Sequence, residues 1–182
     1  TPNGYKAGEL YAVIPSDGAA DMDVTRATAA TRVDENGLVN YAEIIGGEEV
    51  TNGDFSNGLA GWTENGGSYA TIVDGALDSN NTDAGNWYAE NISQNVSFVN
   101  GTTYEVTFKA KNISGNVNLK ITQNSNQIAS INLTSTFVNY TYSYTATADN
   151  GSIRMFCNSA VGQFQIDDIS VKEIQRDNVP RI

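Results

Sequence analysis

Short runs rich in Val, Ile, Thr and Tyr alternate with clusters of Asn, Gly, Asp and Ser at intervals of roughly ten residues, the spacing of an all-β sandwich or barrel. Helical periodicity is almost absent. From Glu48 onward the pattern predicts strands near 48–55, 69–73, 76–79, 87–98, 103–111, 116–123, 127–133, 138–147, 151–157 and 163–174. Turn chemistry separates them: Asp74-Gly75, Asn100-Gly101 and Asn150-Gly151 are dipeptides that accept the backbone of tight turns.

Within these runs the alternation assigns faces. Over 103–111, Tyr104, Val106, Phe108 and Ala110 share one side, and Thr103, Glu105, Thr107 and Lys109 share the other, so one face is core and one is wet. Over 138–147, Val138, Tyr140, Tyr142, Tyr144 and Ala146 share a side. These tyrosines read as core aromatics whose hydroxyls reach the sandwich edge, or else as a sugar platform in which Tyr140 is the binding candidate. In the closing run FQIDDISVKEI, Phe164 and Ile166 have one parity, Ile169 and Val171 the opposite one. Burying all four requires one extra residue at the Asp167-Asp168 step, a predicted bulge.

The first 45 residues differ in character, with Ala and Thr runs (ATAATR) and few large hydrophobes. ELYAVIP and GLVNYAEII each read as a short strand or an arm segment. Such a segment hardly buries enough area to fold alone, so it should pack on the sandwich, on a neighbouring copy or on a larger assembly. The organisation expected is an N-terminal arm over 1–46, a β-sandwich over 47–174 and the start of a C-terminal linker over 175–182. The chain begins at Thr1 without Met and stops soon after Pro180, and so reads as a piece of something longer.

Charge and composition narrow the chemistry. A net charge of −11, with ten Lys and Arg scattered singly, argues against a nucleic-acid partner and suits cations or neutral glycans. No apolar run approaches the ~20 residues of a membrane span. The single cysteine, Cys157, sits in the strand-like run SIRMFCN and reads as a small buried hydrophobe. Histidine is absent, which removes the commonest general base and rules out Ser-His-Asp and Cys-His arrangements. The carboxylates lie on turns and strand ends with no evident cleft for a glycosidase pair, and GWTENGG lacks the Lys and helix of a phosphate loop. The chain therefore reads as a non-enzyme.

Two binding chemistries remain. Calcium takes six or more hard oxygens, and Asn52, Asp54, Asp167 and Asp168 would converge if the opening TNGDF segment pairs with the closing strand. The plainer alternative makes Asp54 an Asx turn and leaves Asp167 in solvent. Trp87 and Tyr88, in NNTDAGNWYAEN, are the aromatics least explained by core periodicity. An exposed indole flanked by amides suits sugar stacking, whereas a half-buried Trp at a strand start is the structural alternative. The sequons at Asn91, Asn95, Asn112, Asn132 and Asn139 read as composition in a chain rich in Asn, Ser and Thr.

NGDF, a short Gly-rich loop to Trp62 and the distant FQIDDISV together resemble the family 4/9-type carbohydrate-binding modules over roughly Glu48 to Glu173. The resemblance implies a jelly-roll β-sandwich. In that family an acidic residue usually follows the Phe of the opening motif and, with an acidic residue of the closing Asp-Asp pair, helps hold a structural calcium. Ser56 stands at that position here, which leaves Asp54 and Asp168 as the candidate ligands of Ca2+.

The flanks GYKAGELYAVIP, DVTRATAATRVDENGLVNYAE and NVPRI are similar to segments that surround such jelly rolls in tailed-bacteriophage virion proteins. This similarity implies a non-enzymatic structural subunit of a tail fibre, spike or head fibre, displayed on the virion surface for host adhesion or decoration. Its expected partners are other virion proteins, further copies of itself joined through the arm, and a cell-surface glycan. The alternative is a carbohydrate-binding module of a secreted polysaccharide-degrading enzyme.

Overall fold

The computed structural model describes residues 5–6, 9–10, 31–33, 39–41, 44–65, 70–81, 91–157 and 161–175. The chain divides into two compact units, one of Thr1–Ile44 with Gln175–Ile182 and one of Ile45–Ile174. In the first, β1 (Tyr5–Lys6) pairs antiparallel with β2 (Glu9–Leu10), and β3 (Thr31–Val33) pairs with β4 (Val39–Tyr41).

The second unit is a sandwich of two sheets. Its strands are β5 (Ile44–Glu48), β6 (Thr63–Asn65), β7 (Ala70–Val73), β8 (Ala76–Asn81), β9 (Asn91–Asn95), β10 (Thr103–Ser114), β11 (Asn118–Gln123), β12 (Asn126–Asn132), β13 (Val138–Thr145), β14 (Ser152–Cys157) and β15 (Gly162–Gln175). The six-stranded sheet runs β13-β10-β15-β8-β7, with β5 also pairing β15, and the five-stranded sheet runs β12-β11-β14-β9-β6. Strands distant in sequence lie side by side and the two sheets share one core, as in a jelly roll. No helix occurs among the described residues.

The core follows the alternation. Tyr104, Val106, Phe108 and Ala110 are all buried, and from the facing sheet Leu119, Ile121, Ile153, Met155 and Cys157 meet them. Tyr140 and Tyr142 stack on Phe108 at 5.3 and 6.2 Å between ring centroids, and Phe98 meets Tyr104 edge-on at 5.0 Å. Two inward-pointing glutamines brace the structure. Gln123 donates to the carbonyls of Ala148 and Asn150 and accepts from the Tyr144 hydroxyl and the Thr147 amide. Gln94 does the same for Thr51, accepting from its amide and donating to its carbonyl.

The bulge is where parity requires it. Thr107 faces Ser170 and Lys109 faces Asp167, so β15 advances three residues while β10 advances two. Asp168 takes up the difference with φ of 51°, and Phe164, Ile166, Ile169 and Val171 are all buried.

The strand expected over 48–55 is a correction. The pairing with β15 is made by β5, which ends at Glu48, and the chain goes into bends and turns over 51–61 instead. Asn52 and Phe55 have positive φ, and the Asn52 side chain substitutes for ladder partners: its amide donates to the carbonyls of Gly58 and Ala60 and its oxygen accepts from the Asn57 amide. The run expected over 87–98 is strand only at Asn91–Asn95 among its described residues. Nor does the apolar pattern mark β6, whose residues Thr63, Glu64 and Asn65 become a strand by pairing with β9.

The opening loop nevertheless meets the closing strand. The Glu49 amide donates to the Val171 carbonyl and the Ile169 amide to the Gly53 carbonyl, each at 2.9 Å.

Candidate functional site

Each sheet turns one face to the core and the other outward, and the two outward faces differ in charge. On the five-stranded sheet, the alternation that buries Leu119 and Ile121 puts Asn118, Lys120 and Thr122 on the other face, Asn118 and Lys120 half-buried and Thr122 buried. In β14 it buries Ile153, Met155 and Cys157 and sends Arg154 and Phe156 outward. Cross-strand register then lays these residues in rows: Ser130, Lys120 and Phe156 in one, and Gln127, Thr122, Arg154, Ser93 and Thr63 in the next.

Side-chain hydrogen bonds lace this face. The Asn118 amide donates to Asn132 Oδ1 at 2.9 Å, the Ser130 hydroxyl to Asn118 Oδ1 at 3.0 Å, and Lys120 Nζ to Gln127 Oε1 at 2.8 Å. The Arg154 guanidinium is half-buried and, among the described residues, makes no hydrogen bond or ion pair. Phe156 beside it is 4% exposed yet stands outside the core cluster. The one carboxylate in these five strands, Glu64, has the parity of inward-facing Ile92 and accepts from the Ala70 amide.

The outer face of the six-stranded sheet is neutralised internally. Lys109 Nζ lies 2.8 Å from Asp168 Oδ2 and 3.0 Å from Asp167 Oδ2, and these hydrogen bonds hold the ammonium's pKa above the ordinary lysine value. Lys172 sits opposite Glu105 in the ladder and 3.9 Å from Glu48. Buried Asp78 accepts from the side-chain amides of Gln163 and Gln165 at 2.7 and 2.8 Å. Lys111 lies over the Phe137 ring, 4.5 Å from its centroid.

This arrangement bears on the calcium expectation. Asp54 is exposed, and its Oδ1 accepts from the Ser56 amide and hydroxyl at 3.2 and 3.0 Å, the Asx turn of the alternative reading. These hydrogen bonds, the backbone one foremost, lower its carboxyl below the ordinary aspartate value. The carboxylate of Asp168 is taken by Lys109, whose ammonium stands where a cation would have to bridge Asp167 and Asp168. No group of three or more His, Cys, Asp or Glu gathers among the described residues. The donors as placed do not fit a calcium ion.

Of the expected sugar-binding aromatics, Tyr140 lies on the inward side of β13 against Phe108, and Trp87 and Tyr88 fall outside the described residues. Arg154, Lys120 and Phe156 were not singled out by the sequence reading. The signal for two of them is present in SIRMFCN, where the positions alternate to buried Ile153, Met155 and Cys157 carry an Arg and a Phe.

Residues 47–161 match a family model, numbered 4/9, described as "Carbohydrate binding domain". No curated protein matches the chain by sequence. Among solved structures the fold is similar to one described as "CBM4 structure and function", at 21% identity and a TM-score of 0.55 over 68% of this chain and 98% of that one. It is similar to the CBM22-1 xylan-binding domain from Paenibacillus barcinonensis Xyn10C, at 16% identity and a TM-score of 0.56 over 71% and 96% of the two chains. A third likeness is to the enzymatically active domain of Bacteriophage CBA120 tailspike protein 4, at 18% identity and a TM-score of 0.50 over 69% of this chain but 21% of that one.

Proposed function

The chain belongs to the family 4/9 carbohydrate-binding domains, and from that premise we propose that its sandwich binds a glycan, without catalysis, on the outer face of the five-stranded sheet. Domains of this kind are typically non-catalytic and usually extracellular or surface-exposed. The observation that carries the placement is the lattice of amides and hydroxyls around Lys120, formed by Asn118, Asn132, Ser130 and Gln127 on two neighbouring strands. Sugar hydroxyls need several fixed donors and acceptors at once, and a sheet face supplies them with little conformational cost on binding. A glycan array probed with the full chain and with an Asn118→Ala/Asn132→Ala variant tests this. Binding should be lost or strongly weakened in the variant; equal binding moves the site elsewhere, and no binding by either protein ends the glycan reading.

The setting we propose is the surface of a tailed-phage virion, where the protein serves host adhesion or decoration and assembles with other virion proteins and with further copies of itself through residues 1–46. The flanking segments GYKAGELYAVIP and NVPRI and the fold likeness to a phage tailspike domain support it. Gold-labelled antibody against this chain should decorate particles, and bare particles would sink the assignment. The likeness to the CBM22-1 domain of Xyn10C favours a second setting, a module of a secreted polysaccharide-degrading enzyme. That setting requires a catalytic domain in the same polypeptide.

A further inference from the structure

The chain has 21 acidic residues against 10 Lys and Arg, so a cation on its surface would be expected to find a carboxylate. On the six-stranded sheet this holds for Lys109, matched by Asp167 and Asp168, and for Lys172, matched by Glu48, while Lys111 lies over the Phe137 ring. On the five-stranded sheet it fails. Lys120 and Arg154 occupy adjacent rows on neighbouring strands, a diagonal relation in which side chains stand about 7–8 Å apart, and no outward-facing carboxylate is present among the described residues of those strands.

Taking glycan binding at this face as given, we infer that the ligand is an acidic polysaccharide whose uronate carboxylates are held by Arg154 and Lys120. A half-buried guanidinium with no partner among the described residues has lost part of its hydration without compensation from them, and its planar fork matches a carboxylate with two parallel N–H···O bonds. Lys120 gives one of its three donors to Gln127 and keeps the others for a ligand. Ser93 and Thr122, which flank Arg154 in its row, are buried, whereas Ser130 and Gln127 on the neighbouring strand are exposed, so this face opens to a ligand on its Lys120 side. Beside it the apolar ring of Phe156 lowers the local dielectric and strengthens a charged contact.

Isothermal titration of the full chain at 0.15 M salt, with polygalacturonate and with alginate, each against its carboxyl-reduced counterpart, tests the inference. At least one acid polymer should bind about tenfold or more tightly than its reduced form, the scale of one charge-assisted hydrogen-bonded pair. Arg154→Gln should remove that difference and leave binding of the reduced polymer unchanged. Arg154→Lys, which keeps the charge and loses the fork, should retain part of it. Lys111→Gln, a cation of the opposite sheet, should change nothing. Thermal melts of each variant establish folding, and if Arg154→Gln does not fold, the Arg154→Lys and Lys120→Gln titrations decide, since each should reduce the acid preference. Equal binding of acid and reduced polymers, or a preference that survives these substitutions, overturns the inference. If neutral glycans bind and the Asn118/Asn132 variant loses them, glycan binding stands and the uronate assignment falls; if no polymer binds, both fall.

Discussion

The contact between the opening loop and the bulge gives the sharpest structural prediction, the substitution Gly53→Ala. A Cβ at Gly53 would lie 1.9 Å from the carbonyl oxygen of Ile169 and 2.9 Å from its carbonyl carbon, against the roughly 3.5 Å of an ordinary contact. The obstacle is backbone and cannot rotate away, so the loop and β15 must part by more than an ångström. That movement breaks the Ile169 to Gly53 hydrogen bond and strains the neighbouring Glu49 to Val171 bond. Losing one or both costs about 0.5–1.5 kcal/mol each, and forcing the extra atom into packed structure costs about 1–3 kcal/mol, so the total is about 1.5–6 kcal/mol. For a domain of this size each kcal/mol shifts the melting midpoint by roughly 4 °C, so the fall should be roughly 6–24 °C. Gly47→Ala is the control: nothing lies within 4 Å of its Cβ, and replacing a strand glycine stabilises by about 0.5–1 kcal/mol. Urea and thermal unfolding of both variants measure the difference. If Gly53→Ala unfolds within about 1 kcal/mol of Gly47→Ala, the loop is not pinned to the bulge as described.

Gln123→Leu should destabilise the sandwich by about 3 kcal/mol, since the buried amide serves Ala148, Asn150, Tyr144 and Thr147 together; an unchanged urea midpoint would show that these groups find water instead. A strong calcium chelator should leave the melting midpoint unmoved because Lys109 already bridges Asp167 and Asp168, and a clear drop would mean that metal displaces it. In an NMR titration Asp54 should protonate at a lower pH than an ordinary aspartate, and Ser56→Ala should return it toward that value. With its folded pKa depressed, Asp54 adds stability above its unfolded pKa and loses it as pH falls through the folded one, so an unshifted titration contradicts the Asx turn. Polyuronate affinity should rise from 0.01 M to 0.15 M salt and then fall, whereas a steady fall over the whole range would indicate that repulsion from the remaining carboxylates is negligible.

The parts of the fold that could be read locally were those in which burial alternates without interruption. Tyr104 to Ala110 declare β10 because each apolar side chain is flanked by polar ones, and the bulge at Asp168 follows from parity alone, since a residue out of step must be absorbed somewhere. The segment after Glu48 misled for a local reason: Val50 and Phe55 look like strand residues, yet Asn52 bonds its own neighbours and turns the chain. The candidate site was hidden for a different reason. Lys120 and Arg154 become neighbours only through the β11 to β14 ladder, and Ser130 reaches them only through β12, so no window of sequence contains the site. Tyr140 drew attention as an aromatic, but β13 spends it on Phe108.

A net charge of −11 looks at first like an argument against any anionic ligand, and the distribution of that charge removes the difficulty. At 0.15 M salt the Debye length is about 8 Å, so a carboxylate two strands away acts weakly on a ligand, while a guanidinium in contact acts almost unscreened. What matters is therefore the sign within one contact shell. In that shell of the five-stranded face stand Arg154 and Lys120, with Asn, Gln, Ser and Thr around them and the lone strand carboxylate, Glu64, at inward parity. On the opposite face each bulge carboxylate has its lysine, so that surface offers a polyanion no unmatched cation at Lys109. Net charge governs how the protein repels or approaches a polymer from a distance, and the strand register decides what the polymer meets on arrival. The two can have opposite signs in one molecule, and selectivity for a spaced pair of carboxylates over a diffuse polyanion follows from that opposition, because only a ligand that reaches the Arg154 row gains more than it loses to the remainder of the surface.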